Sequence, residues 1–208
     1  MEIELKYAIP DRETADRIWN DPELKAMEEK STREINEFRG TYYDTEDYLL
    51  FKHDIAFRMR KEGKKLVASL KWNGETTGAL HKREELNMNL GEEEIPESPD
   101  PDIFCESEEG HLTSDLLKGR KLKGMIQVNV TRKDFRIDTG NSIAEISLDD
   151  GKIITDKGTE DILELEIELY NGSQEDIEDL GEQLEEKYGL TAEKNSKFAR
   201  GLRLLGVI

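Results

Sequence analysis

The sequence predicts an α+β fold in which about eight antiparallel strands close into a β-barrel, a tunnel with a charged interior and flanking helices. Three observations predict it. Apolar and polar residues alternate with period two in stretch after stretch, and these stretches mostly adjoin in sequence, as antiparallel strands do. Segments with helical spacing lie between and after them. The polar faces are also sorted by sign: Arg58 and Arg60 share one face, and Glu164, Glu166 and Glu168 share another. Like charges about 7 Å apart on one strand face repel. Closing the sheet turns these faces inward, where cations offset the glutamates and anions offset the arginines. This inverts the ordinary small barrel, whose interior is filled by packed side chains.

The elements follow in order. Residues 2–9 place Glu2, Glu4 and Lys6 on one face and Ile3, Leu5, Tyr7 and Ile9 on the other. Asp11 caps a helix over 12–20. Asp21-Pro22 ends it and opens a second short helix to about Lys30, because proline suits a first helical turn. Residues 34–44 are extended, with Gly40 a candidate bulge. A strand over 55–61, a turn at 62–63 and a strand over 65–72 make a hairpin. Ser69 and Lys71 oppose Ala68, Leu70 and Trp72 there. Residues 79–90 put His81, Arg83, Glu85, Asn87 and Asn89 on one face. Residues 94–102 carry three prolines and read as a linker, followed by a helix to about Leu117. Strands over 124–138, 142–153 (with a turn at Asp150-Gly151) and 161–172 come next. Arg132 and Lys133 point to opposite faces, and Arg132 is assigned to the interior. Ser173 caps a helix with the stripe Ile177, Leu180, Leu184, which Gly189 ends. The tail from Ser196 is a basic amphipathic helix plus a last extended piece.

The 208 residues are expected to form one unit, 1–208, to which both halves contribute strands. Charged residues make up 38% and hydrophobic ones 35%, but the periodicity argues for a folded chain. The net charge of −18 disfavours nonspecific nucleic-acid binding. An anionic small molecule then needs a local cluster of Lys and Arg, or metal ions. No apolar run approaches the roughly 20 residues of a membrane span. No leader segment is visible, and the lone Cys105 fits a reducing cytoplasm. Nothing here fixes monomer against homodimer.

Common motifs return little. There is no GxxxxGK[ST], GxGxxG or HExxH pattern. His53, His81 and His111 lack zinc-site spacing, and Ser142 and Ser147 lack a nucleophile-elbow context. The informative chemistry is on the strand faces. Clustered glutamates offer hard oxygen ligands for Mg²⁺ or Mn²⁺. Arginine forks and lysine point charges suit phosphate oxygens. Together they point to metal-dependent phosphoryl transfer on a highly charged phosphate chain.

These same residues resemble the CYTH family, also called triphosphate tunnel metalloenzymes. Glu2-Ile3-Glu4-Leu5-Lys6 matches the ExExK signature. "TYYDTEDYLL" (41–50) resembles the Y-[YF]-D-T segment, "AFRMRK" the L-R-x-R strand, and "ASLKWNG" the T-x-K segment. "TGALHKREELNMNL" resembles the R-x-E strand, "IAEISLDDGKI" the acidic strand, "ELEIEL" the late E-x-E strand, and "NSKFARGLRLL" the C-terminal S-K-x-x-R-G segment. The matches keep the family's order across nearly the whole chain and look most like inorganic triphosphatase-type members.

The resemblance implies an eight-stranded antiparallel tunnel whose members hydrolyse or cyclise triphosphates with Mg²⁺ or Mn²⁺. Carried over, it makes Glu2, Glu4, Glu145, Glu164, Glu166 and Glu168 the metal-ligand candidates. Lys6, Arg58, Arg60, Lys71, Arg83, Arg132, Lys197 and Arg200 grip phosphates, and Glu4, Lys71 and Glu85 take the catalytic roles. One departure is Ser147, which stands where some relatives have a second carboxylate; the next acid on that face is Asp149. The choice between one metal and two therefore stays open. The expected reaction is hydrolysis of a triphosphate, inorganic tripolyphosphate foremost. The alternatives are a class IV-type adenylyl cyclase, a thiamine triphosphatase, or a non-catalytic polyphosphate- or triphosphate-binding module.

Overall fold

In the computed structural model, which describes residues 1–208, the alternating stretches pair into one antiparallel sheet. Its strands are β1 (Glu2–Ala8), β2 (Glu34–Asp44), β3 (Ala56–Glu62), β4 (Lys65–Thr77), β5 (Leu80–Asn89), β6 (Lys123–Asp138), β7 (Ile143–Thr155) and β8 (Gly158–Asn171). They run in the order β5-β4-β3-β2-β6-β7-β8-β1, and β1 pairs again with β5. That second pairing closes an eight-stranded barrel. A two-residue β9 (Thr191–Ala192) takes over the edge of β1 beyond Leu5.

Six helices flank or enter the barrel: α1 (Arg12–Trp19), α2 (Pro22–Met27), α3 (Leu49–Lys52), α4 (Glu108–Leu117), α5 (Gln174–Tyr188) and α6 (Lys197–Leu205). None is long and apolar enough to cross a membrane. The expected caps explain their starts. Asp11 accepts from the Thr14 amide at 2.7 Å, and Asp21 accepts from the amides of Glu23 and Leu24, with Pro22 at the start of α2. Helices α1, α2 and α5 cover one outer wall, where Ile18, Leu24, Ile177 and Leu184 meet Leu5, Tyr7, Ile146 and Ile167. Phe104, Leu117 and Leu122 cover another, against Phe57, Met59, Leu66 and Leu70.

Several sequence expectations need correction. No turn forms at Asp150-Gly151. Those residues pair with Leu163 and Ile162, and β7 continues to Thr155. Gly151 is there for close approach: a Cβ on it would lie 2.1 Å from the Asn129 carbonyl oxygen on β6. Gly40 pairs regularly with Arg60 and Val128, and the irregularity of β2 falls between Tyr42 and Tyr43. The second helix stops at Met27, and Glu28 bridges to Ile137. Ser173 precedes α5 but makes no side-chain cap; its amide donates to Ser142 Oγ at 2.9 Å. The proline-rich 94–102 is tied down. Tyr43 donates to the Pro96 carbonyl, and Ser98 to that of Leu122. No strand follows α6. Helix α3 has no counterpart in the sequence reading. Four residues carry too little periodicity, and buried Asp44 organises it by accepting from the amides of Leu50 and Phe51.

Candidate active site

Strand alternation sends every second side chain inward. On β6 these are Ile126, Val128, Val130, Arg132 and Asp134; on β8 they are Ile162, Glu164, Glu166, Glu168 and Tyr170. One end of the interior is thus apolar and the other ionic. Helix α6 fills the apolar end, where Phe198, Leu202 and Leu205 pack on Tyr42, Ala56, Ile126, Ile153 and Ile162. Phe198 stacks on Tyr42 with ring centroids 5.1 Å apart. The remaining tunnel is a cavity of about 500 Å³, and only 5 of its 27 lining residues are hydrophobic, which suits an ionic ligand. Eight Lys or Arg and ten Asp or Glu line it. Against the chain's −18, this is a nearly balanced interior.

At the plugged end the charges form a tight network. Lys197 lies 2.9 Å from Asp149, 2.8 Å from Glu164 and 2.7 Å from Glu166. Arg132 forks onto Asp149 at 2.7 Å and reaches Glu166 at 2.5 Å. Lys6 pairs with Glu166 at 2.9 Å and Glu4 at 3.0 Å. Burial opposes every charge here, yet the network outweighs it. Lys6, Lys197 and Arg132 are held above their usual ranges by these carboxylates, and Glu166 and Asp149 well or clearly below theirs by the cations.

Further along lies a row of carboxylates. The register sets Glu4 opposite Glu168, and Glu168 opposite Glu145. Burial, and then Glu2, Glu4 and Glu145, push the Glu168 carboxyl up to about 8, against the opposing charge of Lys71. Like charges in facing positions are unfavourable without a cation. Lys71 supplies one beside this row, 2.8 Å from Glu2 and 3.1 Å from Glu85. Burial raises Glu85, but Lys71 and Arg58 hold it below the ordinary range. The carboxylates do not already converge as a three-ligand cluster. The donor set still fits a hard divalent cation: it is all oxygen, and the Glu168 row is short of positive charge.

The third wall is cationic and under-bonded. Arg58 donates to Ser69 Oγ at 3.3 Å, and its buried Nε has no partner. Arg83 likewise buries an unpartnered Nε. Arg60 is tied to Glu62 and sits 4.8 Å over the Phe38 ring. Burial would raise the Tyr42 phenol, but Arg58, Lys71, Lys197 and Lys6 pull it below its usual value, which reports a positive potential mid-tunnel. An unsatisfied buried guanidinium nitrogen is costly. A ligand rich in anionic oxygens would satisfy it.

Of the residues singled out in the sequence, Glu2, Glu4, Lys6, Arg58, Arg60, Lys71, Arg83, Glu85, Arg132, Glu145, Glu166, Glu168 and Lys197 all line the tunnel. Glu164 and Arg200 do not. Glu164 is 2% exposed and lies behind the lining, bonded to Lys197 and Arg200. Arg200 turns away from the tunnel to Glu160 at 2.5 Å and the Asp161 carbonyl at 2.8 Å. Its place one helical turn after Lys197 puts it at the seam between α6 and β8. Lys133 points outward to Asp16, as its parity with Arg132 requires. The sequence reading missed Asp134, Asn36, Tyr42 and Tyr170. Asp134 sits two residues beyond Arg132 and Tyr170 two beyond Glu168, so extending each alternation finds them. Alternation puts Asp149 on the inward face, but its partners Arg132 and Lys197 come from distant segments.

The CYTH domain model matches residues 1–202. An inorganic triphosphatase of Haemophilus influenzae is 31% identical over 170 residues, which is 81% of this chain and 46% of the relative. This chain thus spans about half the length of that curated relative. Among solved structures, a Hippeastrum protein assigned as an adenylyl cyclase and described as having a dominant triphosphatase activity superposes with a TM-score of 0.60 at 20% identity, covering 96% of this chain and 94% of that one. A Bacillus halodurans protein assigned as an adenylate cyclase gives 0.59 at 18% identity, with 94% of each chain covered. At these identities the two structures share the tunnel fold.

Proposed function

The chain belongs to the CYTH family, and on that premise we propose that it hydrolyses a triphosphate, inorganic tripolyphosphate foremost, inside its charged tunnel with Mg²⁺ or Mn²⁺. One observation carries this reading: a single cavity pairs under-bonded arginines with a carboxylate row short of positive charge. A triphosphate brings several negative charges to a lining that is already balanced, and Glu2, Glu4, Glu145 and Glu168 would hold a divalent cation that offsets them. The similarity to an inorganic triphosphatase supports the choice of substrate. The chain acts as one unit, 1–208, in the cytoplasm.

Each group has a part. Arg58 and Arg83 bind phosphate oxygens with donors left free by the fold, joined by Lys6, Arg60, Lys71, Arg132 and Lys197. Glu2, Glu4, Glu145 and Glu168 hold the cation, with Glu166 beside them fixing the two lysines and Arg132. The cation, when bound, supplies charge neutralisation and a polarised water. Glu4 and Glu85 orient the attacking water. The water oxygen bonds to the terminal phosphorus as its proton passes to the carboxylates that orient it, the bridging P–O bond breaks with its electron pair staying on the leaving pyrophosphate, and orthophosphate and pyrophosphate result. Lys71, held between Glu2 and Glu85, meets the charge that builds on the phosphate oxygens.

The test is a panel of tripolyphosphate, thiamine triphosphate, ATP and pyrophosphate, each with Mg²⁺, Mn²⁺ or EDTA. Orthophosphate from tripolyphosphate with a metal, and none with EDTA, is expected. Glu4→Gln and Arg58→Ala are each expected to lower kcat/KM by about 100-fold or more. Intact metal-dependent hydrolysis in both Glu4→Gln and Glu166→Gln would overturn the assignment. Cyclic AMP from ATP would redirect it to cyclisation, and tight binding without turnover to a binding module.

A further inference from the structure

A second, smaller cavity of about 190 Å³ opens beside the tunnel, between the corner that joins α3 to β3, strand β4, Arg83 of β5 and the start of α6. Phe51, Trp72 and Phe198 form much of its wall. Lys71, Arg83 and Ser196 line both this chamber and the tunnel. Its outer rim, at Gly74, Thr76 and Lys194, is exposed. The chamber therefore lies between the ionic interior and solvent, on the side where α6 seals the barrel.

Arg83 marks the threshold. Its buried Nε has no partner, and its Nη2 lies 3.9 Å from where a Cβ on Gly74 would sit. Asp54 also lines the chamber: it accepts from the Gly74 amide at 3.0 Å through Oδ2, and its Oδ1 lies 4.0 Å from that same Cβ position. Size selects among ligands. At roughly 30 Å³ per water, the chamber has room for one orthophosphate and part of its shell. It falls short of the roughly 300 Å³ at which sites for organic ligands begin.

We propose that this chamber is an orthophosphate site and exit port at the plugged end of the tunnel. The inference rests on the hydrolysis proposed above. A triphosphate entering at the open mouth puts its deepest phosphate toward α6. After cleavage that orthophosphate lies behind the pyrophosphate, with α6 ahead of it. The chamber gives it a lateral path: an unpaired arginine receives it, and Lys194 waits at the rim.

The test uses Trp72, one of two tryptophans; the other, Trp19, packs on Phe135 at another wall. The metal-free protein is titrated with inorganic phosphate while tryptophan fluorescence is followed. Gly74 has no left-handed φ and no neighbour nearer than 3.9 Å to its Cβ position, so it accepts a side chain. Gly74→Asp places a carboxylate against Arg83, and Gly74→Asn places a neutral group of the same size there. We expect a saturable response in the unmodified protein that Gly74→Asn retains and Gly74→Asp weakens by about tenfold or more. Inhibition of tripolyphosphate hydrolysis by added phosphate should weaken in parallel. Equal phosphate affinity in the two variants overturns the proposal, as does a response to adenosine with none to phosphate. If triphosphate is hydrolysed and Trp72 does not respond, the chamber reading fails and the hydrolysis stands. If Trp72 responds as described and no triphosphate is hydrolysed, the phosphate site stands and the exit role is overturned together with the hydrolysis.

Discussion

Glu168 stands opposite Glu4 on β1 and Glu145 on β7, and its carboxyl is pushed up to about 8 by burial and by its acidic neighbours. This has a consequence for stability. The folded chain keeps a proton up to about pH 8 that the unfolded chain releases near 4.5, the ordinary value for Glu. Between those values the folded state binds more protons, so stability falls as pH rises and levels off above the window. Asp134, pushed up to about 6 by burial and Glu145, adds to the lower part. The thermal midpoint of the metal-free protein should therefore drop between about pH 5 and pH 8. Glu168→Gln should flatten the drop, and Mg²⁺ added at the higher pH should reverse it; an unchanged slope in the variant would clear Glu168 as the source. The side of each such residue was legible in the sequence, because alternation assigns it. The ionisation was not, because Glu145 and Glu4 reach Glu168 only through strand pairing.

Helix α6 breaks a local rule at its first residue. Lys197 places a cation at the positive end of the helix, which is unfavourable in isolation. Asp149, Glu164 and Glu166 offset it, so the violation marks where the plug meets the site. Gly201 shows how closely the plug fits. A Cβ there would lie 2.5 to 2.8 Å from three side-chain carbons of Ile126. In an exposed helix Gly→Ala gains about 1 kcal/mol. Here Gly201→Ala should destabilise, by about 1–3 kcal/mol in denaturant unfolding. Ile126→Ala in the same chain should remove that penalty, leaving its own cavity cost. A stabilised Gly201→Ala would mean the helix does not seat against Ile126. The apolar stripe of this helix was readable in sequence, but its insertion into the barrel was not. Ile126, Val128 and Ile162 look like ordinary strand hydrophobics until their parity with Arg132 and Glu166 shows that they face inward.

Closure of the whole molecule depends on β1. It pairs with β5 through Glu2–Leu5 and with β8 through Glu4–Ala8, so one strand joins the two ends of the sheet. Removing residues 1–9 would leave two open edges and take Leu5 and Tyr7 out of the core under α5. That truncated chain should show no sharp thermal transition by circular dichroism, whereas Glu2→Gln/Glu4→Gln should keep one. A cooperative melt in the truncated chain would show that closure is dispensable. The strand-rich fold, nearly every strand, and the side chains that share a face are legible in the order of residues alone. Those properties follow from period-two geometry and from the cost of like charges left side by side. Which faces meet is set in three dimensions: Asp149 with Lys197, Glu164 and Arg200 behind the lining, Asp150-Gly151 inside a strand, and Arg83 between tunnel and chamber. Pairing register and the seating of α6 are sums over many distant contacts, and no local pattern in the chain encodes them.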